Sequence, residues 1–242
     1  MSGNGEQRRH ASRILDARYE PGSPGGRQEG AMARTVRETQ RRCSYKTMNS
    51  PVGRLTLAAT DRGLAAILWE NDHPDRVRLN IDAEDKRHPV LVEAERQLTE
   101  YFAGQRRAFS VRLDPAGTDF QRAVWNALLT IPFGETRSYA EIAQQIGKPA
   151  AVRAVGDANR RNPVSIIAPC HRVVGSSGAL TGFAGGLDAK ARLLALEGVD
   201  VEPSGSSLVS AARARDASAP RSSSSQRPRS RARSVRSRRS LA

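Results

Sequence analysis

Two stretches of this chain cannot bury enough apolar surface to fold, and they fix how much of it can. The C-terminal run PRSSSSQRPRSRARSVRSRRS is an arginine/serine segment of low complexity, whose like charges repel and which has no apolar face to pack. The first 43 residues, rich in Gly, Arg, Glu and Ser, have no sustained apolar periodicity and cannot offset the entropy of ordering. A head at 1–43, with Met32 as an alternative start, and a tail at 203–242 are therefore expected to be unordered. The remaining stretch, 44–202, is long enough for one large domain or two small ones.

Charge follows the same division. Of the net +14, the head contributes nine arginines against five acids and the tail ten arginines against one aspartate. The middle is nearly neutral, so any case for nucleic-acid binding there must rest on particular residues. The tail reads equally as a solvated arm and as a non-specific phosphate-binding one. Cys43 and Cys170 are the only cysteines, which excludes a disulfide framework, and with no C-x-x-C pair a zinc site is not expected. The N-terminus has no apolar leader, and no run of about 18 apolar residues could span a bilayer. A cytoplasmic chain with no membrane partner follows as the expectation.

Within the middle, GRLTLAATDRGLAAILWE reads as two short strands around the turn at Asp61, Arg62 and Gly63, rich in β-favouring side chains. A helix is predicted over 89–103: Pro89 suits its first turn, Leu91, Ala94, Leu98 and Tyr101 share a face, and Gly104 stops it. This small α/β module, 44–112, contains nothing that looks catalytic. From Thr118 the signals are helical. Thr118 with Gln121 and Ser138 with Glu141 form two capping boxes. The helix from Ser138 ends at Gly147, and another begins at Pro149. Two short helices joined by a tight turn have the shape of a helix-turn-helix. In the second, Val152, Val155 and Asn159 should pack inward, with Arg153, Gly156 and Arg160 facing out. A mid-helix glycine costs up to about 1 kcal/mol against alanine. Close approach of a phosphate backbone would explain it, and a plain solvated basic face is the alternative.

The segment IIAPCHRVVG sets Cys170 and His171 side by side after Pro169. A free cysteine by itself reads as a buried packing residue. A neighbouring histidine can favour the thiolate and turn the same residue into a nucleophile, and Pro169 limits the backbone that carries it. In LDAKARLLALEGVD the stripe Leu187, Ala191 and Leu194, with Leu193 and Leu196 beside it, turns Glu197 toward the buried side. A carboxylate at a helix C-terminus is badly placed for its own helix dipole. It would be well placed to orient an imidazole, as in a catalytic triad, and a frayed surface glutamate is the alternative.

Taken together, IPFGETRSYAEIA, AVRAVGDANRRNP, IIAPCHRVVGSSGALTGFAGG and KARLLALEG, in this order and spacing, resemble the O6-alkylguanine-DNA alkyltransferases. The likeness is close over about 118–198, and NSPVGRLTLAATDRGLAAILWE is similar to the family's small N-terminal module. The resemblance implies an α+β chain: a ribonuclease-H-like α/β module at 44–112, then a helical winged-helix-type domain at 113–202. It implies direct-reversal repair of double-stranded DNA carrying O6-alkylguanine, with O4-alkylthymine as a second candidate substrate. One protein molecule would act once, as a monomer, with no cofactor and no metal.

On matching positions, Cys170 would accept the alkyl group, His171 would take its proton through a water, and Glu197 would polarise His171. Asn162 would brace the turn beneath, and Tyr139 would hydrogen-bond the leaving guanine. Arg153 would replace the extruded base in the stack, on a DNA-binding face shared with Ala151, Gly156 and Arg160. Phe183, Ser165, Val173 and Gly185 would line the pocket, with Phe183 standing where the family often has a tyrosine. This scheme expects an ionised Cys170 sulfur in a cleft wide enough for an everted purine. Rival readings are a non-enzymatic helix-turn-helix DNA-binding or regulatory protein and a cysteine hydrolase. The second lacks any oxyanion-hole signal.

Overall fold

The structure is a computed structural model that describes residues 42–200. The expectations for the tail, and for the head up to residue 41, lie outside the described residues. Strands β1 (Arg42–Ser50), β2 (Gly53–Thr60) and β3 (Gly63–Trp69) form an antiparallel meander. Strand β4 (Asn80–Glu84) adds parallel to β1, giving the order β3-β2-β1-β4. The hairpin read around residues 61–63 is β2–β3. Strands β1 and β4 escaped the sequence reading for a clear reason. In β1 only Cys43 and Met48 are buried, and β4 is exposed throughout, so neither carries an apolar pattern. Strand β1 begins at Arg42, inside the segment expected to be unordered. Cys43 is buried there among Ala58, Ala65 and Ala66, with Leu68, Val77 and Leu79 packed against them.

Helix α1 (Pro89–Phe102) buries Leu91, Ala94, Leu98 and Tyr101 as its periodicity demands, and Gly104 follows in the left-handed region at φ 72°. Helices α2 (Asp119–Leu128) and α3 (Tyr139–Gln145) both open on complete capping boxes, at Thr118/Gln121 and Ser138/Glu141. A capping residue of this kind contributes about 1 kcal/mol. After Gly147 a 3-10 turn (Pro149–Ala151) leads into α4 (Val152–Arg160), which packs with α2 and α3 around Val124, Leu128, Ile142 and Val155. Two-residue strands β5 (Arg137–Ser138) and β6 (Val173–Val174) pair in parallel, and α5 (Gly186–Leu196) closes the fold. The expected α+β arrangement, a sheet module followed by a helical part, is the one observed.

Two helix faces need correction. Val152, expected to pack inward, is 37% exposed, because the helix proper starts only there and its inward side is made by Val155, Ala158 and Asn159. Along α5, Leu187 and Leu196 are exposed, and the buried side is Ala189, Lys190, Leu193 and Leu194. Two polar side chains, Lys190 and Glu197, occupy core-facing positions here, so a stripe drawn from hydrophobicity alone is rotated from the true one. Among the described residues no helix is long and apolar enough to cross a membrane.

Candidate active site

The site is built on a tight loop, 162–168, that leads into a 3-10 turn at Cys170–Arg172. Asn162, fully buried, ties the two ends of the loop together. Its Nδ2 donates to the Ala168 carbonyl at 2.7 Å, and its Oδ1 accepts from the Val164 amide at 3.1 Å. The Ala168 amide also reaches the Val164 carbonyl at 2.9 Å. The curl is tight enough to force Ile166 to φ 74°, a region that a β-branched residue enters only under strain of about 1–3 kcal/mol. The strain persists because Ile166 is locked in the main apolar core.

Beside the loop lies a fully connected carboxylate. Glu197, at the C-cap of α5, brings Oε1 to 2.8 Å from His171 Nε2 and accepts from Arg172 Nη2 at 2.9 Å and Tyr101 Oη at 2.6 Å. Its Oε2 accepts from Arg172 Nε at 2.7 Å and the Gly134 amide at 3.3 Å. Burial alone would raise its pKa, but the bonds and charges of His171 and Arg172 hold it well below the usual carboxylate range. An ionised Glu197 fixes the imidazole: Nε2 carries the proton and donates it, leaving the lone pair on Nδ1. Nδ1 is buried and has no hydrogen-bond partner. Burial pushes His171 down from its ordinary value, with Glu197 opposing.

Cys170 departs from expectation in one respect. Its side chain is only 2% exposed, and burial pushes the thiol up. Asn162, Ser165 and the charges of Lys190 and Arg76 oppose that shift without reversing it. Burial thus favours the protonated thiol, and the sulfur is enclosed by protein instead of standing in an open cleft. Ser165, also buried, lies 3.9 Å from Sγ. Lys190, which sequence reasoning missed, is a fully buried cation whose Nζ donates to the carbonyls of Val173 at 2.6 Å and Thr181 at 2.9 Å. Burial drops its pKa to about 8. It lies seven residues before Glu197, two turns back on the same helix face, but a lysine in a helix carries no local mark of burial.

Outward from the sulfur, Tyr139 and Phe183 pack half-buried against the cluster that contains Cys170 and Val173. The Tyr139 hydroxyl pairs with Thr181 Oγ1 at 2.9 Å. Phe183 makes edge contacts with His171 at 6.4 Å and Trp69 at 5.2 Å. Gly185 is required by its neighbour, since a Cβ there would fall 2.5 Å from the Trp69 ring. Val173 is fully buried in β6. On α4, Arg153 and Arg160 are exposed and share a shallow open cleft with Ala151, Gly156 and Asp157. Arg160 pairs with Asp157 at 3.1 Å, whereas Arg153 has no ion pair among the described residues. A Cβ on Gly156 would lie 3.8 Å from the Tyr139 ring, an ordinary contact, so nothing within the protein demands the glycine. The geometry sets Cys170 with Ser165 and Asn162, and its chain neighbour His171 with Glu197, in two adjoining buried groups, and places the α4 residues on a separate surface with Tyr139 beneath it. Among the described residues no group of three or more His, Cys, Asp or Glu side chains could hold a metal ion.

Comparison with known proteins bears directly on this arrangement. Residues 43–115 match the ribonuclease-like domain of 6-O-methylguanine DNA methyltransferase, and residues 119–199 match its DNA binding domain. The chain belongs to the 6-O-methylguanine DNA methyltransferase family. It is 50% identical over 155 residues to the methylated-DNA--protein-cysteine methyltransferase of Methanosarcina acetivorans, covering 64% of this chain and 97% of that one. A constitutive enzyme of the same name from Bacillus subtilis is 49% identical, with 63% and 94% covered. The crystal structure of Mycobacterium tuberculosis OGT in complex with DNA is similar at a TM-score of 0.57 and 51% identity, covering 64% of this chain and 92% of that one.

In this member of the family the ribonuclease-like part reaches into the site, contrary to the sequence reading that found nothing catalytic there. Arg76 is buried, pairs with Asp72, and donates to the carbonyls of Ile67 and Asn162. The Ile67 amide, on the edge of β3, donates to Pro163 at 2.8 Å. Trp69 backs Phe183 and Gly185. Tyr101 donates to Glu197.

Proposed function

We propose that this chain repairs DNA by direct damage reversal, moving the alkyl group from O6 of an O6-alkylguanine in double-stranded DNA onto its own Cys170, once per molecule. DNA repair of O6-methylguanine through a protein cysteine is the activity of its family. One observation carries the assignment of the acceptor: Cys170 adjoins a histidine whose Nε2 is held by a buried carboxylate and whose Nδ1 has no partner.

In this reading His171 takes the Sγ proton on Nδ1, directly or through one water, and Glu197 stabilises the imidazolium that forms. The thiolate attacks the alkyl carbon, the S–C bond forms as the C–O6 bond breaks, and the electron pair leaves with the guanine. Tyr139 donates a hydrogen bond to the departing base. Asn162 holds the loop, while Ser165, Val173, Phe183 and Gly185 shape the pocket. The DNA supplies the alkyl group, so no methyl donor enters the step, and the thioether is not readily hydrolysed. The protein is consumed by its own reaction.

The carbon attacked lies on a base inside a duplex, so the nucleotide must leave the stack. The exposed α4 face with Ala151, Arg153, Gly156 and Arg160 is the surface for the duplex, with Arg153 filling the gap. The DNA complex of the M. tuberculosis relative supports this side of the reading. Because burial favours the protonated thiol, its ionisation is coupled to the arrival of the base. O4-alkylthymine is a second candidate substrate. The chain works as a monomer in the cytoplasm, associated with the nucleoid through DNA, with a ribonuclease-H-like module at 44–112, an alkyltransferase domain at 113–202 and extensions outside them. The test is duplex DNA carrying radiolabelled O6-methylguanine. One label per protein is expected, Cys170→Ala should abolish transfer yet keep DNA binding, and many labels turned over per protein would refute the mechanism.

A further inference from the structure

Every donor around Glu197 but one comes from the helical part of the chain or the loop before it. The exception is Tyr101, in the last turn of α1, whose hydroxyl crosses from the ribonuclease-like part to Oε1 at 2.6 Å. That oxygen is also the one that accepts from His171 Nε2 at 2.8 Å. Tyr101 is fully buried, and its ring is fixed by Phe102, Phe109 and Phe133 at centroid distances of 5.4, 5.3 and 6.3 Å. A tyrosine used only for packing would not need its hydroxyl on a shared carboxylate oxygen.

We infer that Tyr101 is a positioning residue for the transfer reaction, setting through Glu197 how strongly His171 can attract the cysteine proton. This rests on the reading in which His171 is the base. A phenol that donates to Oε1 withdraws electron density from the atom that must also accept from Nε2–H, and so moderates the basicity of the imidazole. It also fixes the carboxylate in place. The other groups facing the pair are Arg172 and Cys170 on the 3-10 turn, Lys190 on α5 and the Gly134 amide. Tyr101→Phe alters none of these side chains. Burial and the Glu197 charge push the phenol far up, so it remains a donor throughout the working range.

The experiment follows methyl transfer from an O6-methylguanine duplex against pH in the full chain. Tyr101→Phe keeps the ring and removes the hydroxyl. The plateau rate should fall about tenfold, as for one lost charge-assisted hydrogen bond. The acid limb should move to higher pH, because an unmoderated Glu197 makes His171 more basic. Replacement of Tyr101 by 3-fluorotyrosine, a stronger donor with the same packing, should move the limb to lower pH. That variant decides the matter should Tyr101→Phe fold poorly. Phe109→Leu damages the same aromatic cluster and should lower stability without moving the limb. Limbs unmoved by both Tyr101 variants, or moved equally by Phe109→Leu, would overturn the inference. Failure of the wild-type chain to label Cys170 would instead remove the underlying reading.

Discussion

His171 is held between two opposed influences, burial that disfavours its charge and Glu197 that favours it, and burial prevails. Its folded pKa lies below the ordinary value of 6.5, so the neutral form that can accept a proton persists into more acidic solution. The acid limb of methyl transfer should therefore fall below pH 6.5. A limb above that value would mean that the histidine gains more from its carboxylate than it loses to burial. The same linkage acts on folding. Glu197 and His171 both have lowered pKa values, so each contributes stability present above its unfolded pKa and lost as the pH falls through the folded one. At this scale the sequence was legible where chemistry was local. Cys170 and His171 are neighbours, and Glu197 betrayed itself by facing the wrong way at a helix end. Lys190 and Tyr101 were not legible, because a lysine and a tyrosine in helices have ordinary surface and core roles. Only the fold shows that one lies against carbonyls of the Cys170 segment and that the other meets a glutamate 96 residues away.

The elements divide by how they announce themselves. Capping boxes at Thr118 and Ser138 and the left-handed glycines at 104 and 147 marked the helices correctly, because those signals satisfy backbone groups within a few residues. The loop at 162–168 opens on the turn pair Asn162-Pro163, but nothing in its sequence foretells how tightly it curls. Its strained Ile166 is imposed by Asn162, Ala168 and the core, and no local preference for isoleucine favours φ 74°. The substrate-side loop is held likewise from outside, by the flat approach of Trp69 to Gly185. Gly185→Ala should collide with that indole, displace the segment carrying Phe183, and lower transfer at least tenfold while DNA binding is retained. Transfer kinetics and duplex affinity measured on the same variant check this. Unchanged kinetics would show that the segment can leave Trp69 without consequence.

Across the whole described molecule one apolar core joins both family domains, running from Leu55, Leu57 and Ile67 in the sheet to Val164, Ile166 and Leu193 in the helical part. Polar ties cross the same boundary at Arg76 to Asn162, Ile67 to Pro163 and Tyr101 to Glu197. Thermal unfolding should accordingly be a single transition by both calorimetry and circular dichroism. Residues 113–202 expressed alone should be markedly destabilised, and a separate, independently stable helical unit would contradict this. The order of a sheet module and a helical domain was legible from the change in periodicity. Their shared core was not, because contacts between distant segments leave no pattern in either one. The proposed reaction stands on the identity of the atom that ends up alkylated. After reaction with excess O6-methylguanine duplex, peptide mass spectrometry should find each molecule heavier by one methyl replacing one hydrogen, on the peptide that contains Cys170. A methyl group found elsewhere, or an unmodified protein that has nevertheless restored the guanine, would contradict it.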